Sequence, residues 1–168
     1  MDHERPAVPG PYYRFVQAHV QEYTNDRVPL SRTDYVQFLE FMLRHGLSPS
    51  TVSAIAKQLL SERSGKYRWR RAAIMDRLQF DLFRAVYQRL RPHFSTFFLN
   101  STAHLQHMYW RNMEPEAFSL KPGREEQREL ANAVLFGYQT MDRLVADVRR
   151  LVGEEGTTFS GNCHRTRS

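Results

Sequence analysis

Cysteine is nearly missing from this chain: Cys163 is the only one, so no disulfide can close within it and nothing points to an oxidising compartment. Long apolar runs are missing too. No stretch approaches the roughly 20 residues that a helix needs to span a bilayer, and the opening MDHERPAVPGP has no apolar core of the kind that directs secretion. The expectation is a cytoplasmic location with no membrane partner. Glycine is sparse and scattered, 8 among 168 residues, which excludes a glycine-rich phosphate loop. There is no internal repeat and no low-complexity tract. Acidic residues fall short of basic ones, 18 Asp and Glu against 24 Lys and Arg, which leaves a net charge of +6 and a pI near 9.8. That balance suits an anionic partner, a phosphate ester or nucleic acid, without choosing between them.

What is present is enough apolar matter for one small domain: 41% hydrophobic residues and 12% aromatic argue against wholesale disorder. Residues 1–11, with Pro6, Pro9, Gly10 and Pro11, read as a flexible leader. Phe15, Val16, His19, Val20 and Tyr23 recur at helical steps and predict a first helix that ends near Asn25 and Asp26. Ser31 or Thr33 is placed to cap a second, with Tyr35, Phe38, Leu39, Met42 and Leu43 on one face and Gly46 as its stop. A third begins at Pro49, carries Val52, Ile55, Ala56, Leu59 and Leu60, and ends at Ser64 and Gly65. Residues 12–65 are thus expected to form a small helical cap-like segment.

Residues 66–152 read as helix, strand, helix. Ile74, Leu78, Leu82, Phe83, Val86 and Leu90 form a stripe on a helix over 70–91 that Pro92 breaks. Phe94, Thr96, Phe97, Phe98 and Leu99 then suit a short strand of the parallel type, buried on both faces. Past Pro115 and Pro122, the spacing of Leu130, Val134, Met141, Leu144, Val148 and Leu151 predicts a long helix over 124–152 that covers a sheet. Residues 153–168 form a polar tail in which only Thr157 to Phe159 offers another strand. The expected fold class is α/β, mostly helical, with the buried strand set between two long helices.

Sites in open parallel sheets form just beyond the carboxyl ends of strands, which draws attention to Asn100, Ser101, Thr102, His104 and His107. This run, NSTAHLQHMYWR, resembles a segment of the type I phosphodiesterases and nucleotide pyrophosphatases of the alkaline phosphatase superfamily. In that family a strand delivers an Asp-x-x-x-His pair to one of two catalytic metal ions; the matching spacing here runs from Asn100 to His104. Asn100 offers a neutral carbonyl where the family has a carboxylate, and so is a weaker ligand. Trp69 to Arg91, with Asp76, Arg77, Leu78, Gln79, Phe80 and Asp81, is similar to the family's preceding helix. Leu130 to Val152, with Tyr138 and Asp142, is similar to the helix that follows. The family's later Asp-His pair and its nucleophilic Thr or Ser have no counterpart in this sequence.

The resemblance implies a divalent metal, zinc or manganese, held by His104 with Asn100 assisting. It also implies a phosphate-ester substrate, with His107, Ser101 and Thr102 either touching it or supporting the metal ligands, in a chain with little or no turnover of its own. Taken without the resemblance, two histidines at i and i+3 share a helix face but do not make a metal site, since zinc takes three or four protein ligands. Ser101 or Thr102 either caps the helix starting at Ala103 or binds an anion there. A second candidate is Lys66, Tyr67, Arg68, Trp69, Arg70 and Arg71. Lys66, Arg68, Arg70 and Arg71 either form an anion-binding surface for nucleic acid or an acidic protein, with the aromatics stacking on bases, or are solvated cations at a helix entrance. Cys163 beside His164 amounts to a reactive surface thiol.

Overall fold

The structure, a computed structural model, describes residues 10–20, 30–64, 66–154, 156–158 and 161. Cys163 and His164, residues 1–9, Tyr23, Asn25, Asp26 and Phe159 lie outside the described residues. Among the described residues seven α-helices follow one another: α1 Gly10–Val20, α2 Arg32–Arg44, α3 Pro49–Ser61, α4 Ala72–Leu90, α5 Ser101–Met113, α6 Arg124–Leu130 and α7 Ala133–Val152. Short 3-10 turns lie at Glu62–Ser64, Arg68–Arg71 and Pro115–Ala117. Among the described residues there is no strand, so the α/β expectation is corrected to an all-helical fold.

The physical reason lies in residues 94–99. A strand is held by hydrogen bonds to a neighbouring strand, and a lone apolar run has nothing to pair with. These residues adopt no regular structure; Phe94 is 83% exposed and Phe98 70% exposed, contrary to burial on both faces. Only one aromatic of the run is well anchored. Phe97 is half-buried, its ring centroid 5.0 Å from that of Phe83 and 5.9 Å from that of Phe80.

The chain divides into two compact units, residues 1–47 and 48–168. In the first, α1 packs on α2 through Phe15, stacked on Phe38 with centroids 3.7 Å apart and meeting Tyr35 edge-on, beside a fully buried Met42. The start of α2 is written locally. Ser31 is its N-cap, its hydroxyl accepting from the Asp34 N–H while the Asp34 carboxylate accepts from the Ser31 N–H at 2.9 Å, a reciprocal capping box. Gly46, at φ 108°, takes the left-handed backbone that ends α2 cheaply.

In the second unit, α3 begins at Pro49 as expected, and Ser48 is its N-cap. The Ser48 N–H and hydroxyl both donate to the buried Asp81 carboxylate, at 2.8 and 2.9 Å, which fastens α3 to α4. Helix α4 stops where Arg91 turns left-handed (φ 44°) ahead of Pro92. The core is the contact of α5 with α7, where Leu105, Ala133 and Val134 are fully buried. The two backbones come close at Gly137: a Cβ there would lie 3.0 Å from Leu105 Cδ1 and 3.4 Å from Thr102 Cα. The predicted helix over 124–152 is two helices with a turn at Ala131 and Asn132, and α7 covers α5 and α4 in place of a sheet.

Candidate functional site

The strand's absence changes what the first turn of α5 is built on. Asn100 precedes the helix and its carbonyl accepts from the His104 N–H at 3.0 Å, so Asn100 and His104 stand one turn apart. Neither Ser101 nor Thr102 caps the helix, contrary to one sequence expectation. The Asn100 position makes no side-chain cap either. The acceptor comes from another element: Asp76 of α4 takes the Asn100 N–H at 3.4 Å, the Ser101 N–H at 3.3 Å and the Ser101 hydroxyl. A carboxylate is favoured at this place, where unpaired amides and the helix dipole present positive charge.

Asp76 is itself buried, and burial pushes its carboxyl pKa above the ordinary value despite the lowering effect of the Ser101 and Asn100 donors. The Thr102 hydroxyl points the other way and donates to the Gly137 carbonyl at 3.2 Å. Ser101 and Thr102 are therefore buried and committed to helix packing. His104 is half-buried and His107 exposed. No three His, Cys, Asp or Glu side chains converge as a metal-binding group among the described residues. Two imidazoles and an amide fall short of the donor set a zinc site uses.

The basic run is brought together differently from a simple cationic surface. Lys66 and Arg68 are exposed. Arg70 is turned inward, its guanidinium carbon 4.4, 5.1 and 5.4 Å from the ring centroids of Tyr67, Trp69 and Phe136, which places it in an aromatic setting. Arg71 grips Glu62, with Nε 2.6 Å from Oε2. Burial raises the Glu62 carboxyl, but donation from Arg71 and Gln58 outweighs it and holds the pKa below the usual value. Trp69 meets Phe136 edge-on at 5.2 Å, so it serves the interior contact with α7. Of the four expected cations, Lys66 and Arg68 face solvent, and the charge of Arg68 also helps to hold the Glu62 pKa down.

Sequence reasoning missed Asp76 and Asp81 as buried anchors. Their register carried the signal: Asp81 falls in step with Ile74 and Leu78, and Asp76 with Ala73 and Phe80, so both lie on the inward part of α4. It also missed a cleft of about 360 Å³ whose lining includes Arg77, Arg84 and Arg150. No helix among the described residues is long and apolar enough to cross a membrane. No protein-family model, curated protein or solved structure matches this chain.

Proposed function

We propose that the chain is a piece of a metal-dependent phosphoric ester hydrolase of the phosphodiesterase or nucleotide pyrophosphatase kind, acting in the cytoplasm, with little or no turnover by itself. The observation that carries this reading is the Asn100-x-x-x-His104 spacing, which resembles the family's Asp-x-x-x-His and spans one turn at the start of α5. In a complete domain that supplies the further donors, His104 would hold a zinc or manganese ion, Asn100 would assist it, and His107 would orient a ligand or substrate. Such an ion supplies Lewis acidity for phosphoryl transfer. Ser101 and Thr102 support the turn from within, through Asp76 and Gly137.

The test is isothermal titration of the purified chain with zinc and with manganese beside a His104→Ala variant. Weak saturable binding that falls at least about tenfold in the variant supports the reading, a loss of about 1.4 kcal/mol. Equal isotherms for the two proteins, or fast phosphodiester hydrolysis by the chain alone, overturn it.

One observation favours a second reading, a basic helical module for nucleic acid or an acidic protein: Lys66 and Arg68 are both exposed in the segment that leads into α4, on a chain of net charge +6. In that case a labelled single-stranded oligonucleotide binds with an affinity that falls steeply with salt. Joint Lys66→Gln and Arg68→Gln replacement then abolishes binding, while metal titration is indifferent to His104.

A further inference from the structure

A cleft of about 360 Å³ opens within the second unit where the first turn of α3 meets one stripe of α4 and one of α7. Its volume lies in the range of small-molecule sites, and it shares no residue with the turn at Asn100–His104. Helix α4 contributes Arg77, Asp81 and Arg84 at helical spacing, and α7 contributes Asp147 and Arg150. Three guanidinium groups thus face two carboxylates.

The carboxylates are already matched. Asp81, 2% exposed, accepts twice from Ser48 and lies 3.2 Å from Arg84, and Asp147 pairs with Arg150. Arg77 makes no ion pair among the described residues and is the surplus charge. A second guanidinium is available at low cost. The Arg150 side chain is 73% exposed, and an exposed i,i+3 ion pair is weak in water, so exchanging Asp147 for a ligand loses little. The fork of a guanidinium fits the oxygens of a phosphate, and two of them match a dianion. The remaining wall sets Gln88, Ser50 and Thr51, the last two also bonded to the Ser48 hydroxyl, beside Phe80, Leu144 and Leu151, a mixture of hydrogen-bonding groups and apolar surface that suits the hydroxyls and the C–H face of a sugar ring.

We propose that this cleft binds a small phosphate monoester with a hydroxyl-rich body, a sugar phosphate, through Arg77 and Arg150. The inference is independent of the hydrolase reading and does not use His104.

The experiment titrates the full chain with glucose 6-phosphate, inorganic phosphate and glucose, with Arg77→Gln, Arg150→Gln and the remote Arg128→Gln as variants. Saturable glucose 6-phosphate binding, several-fold tighter than inorganic phosphate and undetectable for glucose, is expected. It should weaken at least tenfold in Arg77→Gln, less in Arg150→Gln, and stay unchanged in Arg128→Gln. Absence of saturable binding, equal affinity for inorganic phosphate and the sugar phosphate, or equal loss in Arg128→Gln overturns the proposal. If Arg77→Gln loses its helical signal, Arg77→Lys replaces it: this variant keeps the charge but not the fork, and wild-type affinity in it counts against the site. Failure here with intact His104-dependent metal binding sinks the cleft alone.

Discussion

Asp76 is costly as a charged residue and useful as an acceptor. It satisfies three donors at the start of α5, yet its buried carboxyl is harder to ionise than in the unfolded chain, whose ordinary value is 3.8. A group with a raised native pKa favours the folded state fully below its unfolded value, and that contribution is lost as pH rises through the native value. Urea unfolding of the wild type and Asp76→Asn should therefore show the wild type gaining stability relative to the variant on going from pH 7 to pH 4. A gap that stays constant, or moves the other way, contradicts a raised pKa. Glu62 and Asp34 run opposite to Asp76. Arg71 and Gln58 at the first, outweighing burial, and Ser31 at the second hold the carboxyls low, so their contributions are present above 4.5 and 3.8 and fade as pH falls further.

Two helices illustrate how neighbours decide which face is used. On α2 the sequence puts Tyr35, Phe38, Leu39, Met42 and Leu43 on one apolar face, but the structure buries Phe38, Phe41 and Met42 and leaves Leu39 and Leu43 more than half exposed. Phe15 reaches only one side, and periodicity cannot say which side a neighbour will cover. On α7 the stripe was legible: Val134 and Leu144 are buried as its spacing predicts, and Gly137 and Thr140 lie on the same inward face. Gly137 is where α5 approaches most closely, so a side chain there meets the buried Leu105 and the backbone of Thr102. Gly137→Val should lower stability by about 1–3 kcal/mol through overpacking, measured by thermal or urea unfolding. An unchanged midpoint would mean that α5 and α7 are not in this contact.

Across the whole molecule, the described core falls into separate sets. Phe15, Phe38, Phe41 and Met42 belong to residues 1–47, while Leu78, Leu105, Ala133, Val134 and Leu144 belong to residues 48–168. The capping hydrogen bonds of α3 and its tie to Asp81 are likewise internal to the second unit. A chain of residues 48–168 should thus keep its helical circular dichroism and unfold in one cooperative transition. Loss of cooperativity on removing residues 1–47 would show that the second core depends on the first. The excess of positive charge acts at this scale as well, drawing anions to the molecule without specifying where they bind.

Short-range chemistry determined the starts and stops of helices: Ser31 and Ser48 as caps, Pro49 in a first turn, Gly46 and Pro92 as terminators. Each acts through bonds or dihedral limits within a few residues, so each is readable in the chain itself. The fate of residues 94–99 was a tertiary decision, because β propensity becomes a strand only beside a partner, and the described residues provide none. The capture of α5 by Asp76, the packing of Arg70 against Phe136, and the placing of Arg77 and Arg150 on one cleft were also decided in three dimensions. Each involves residues far apart in sequence, and only the packing of the helices brings them to one place.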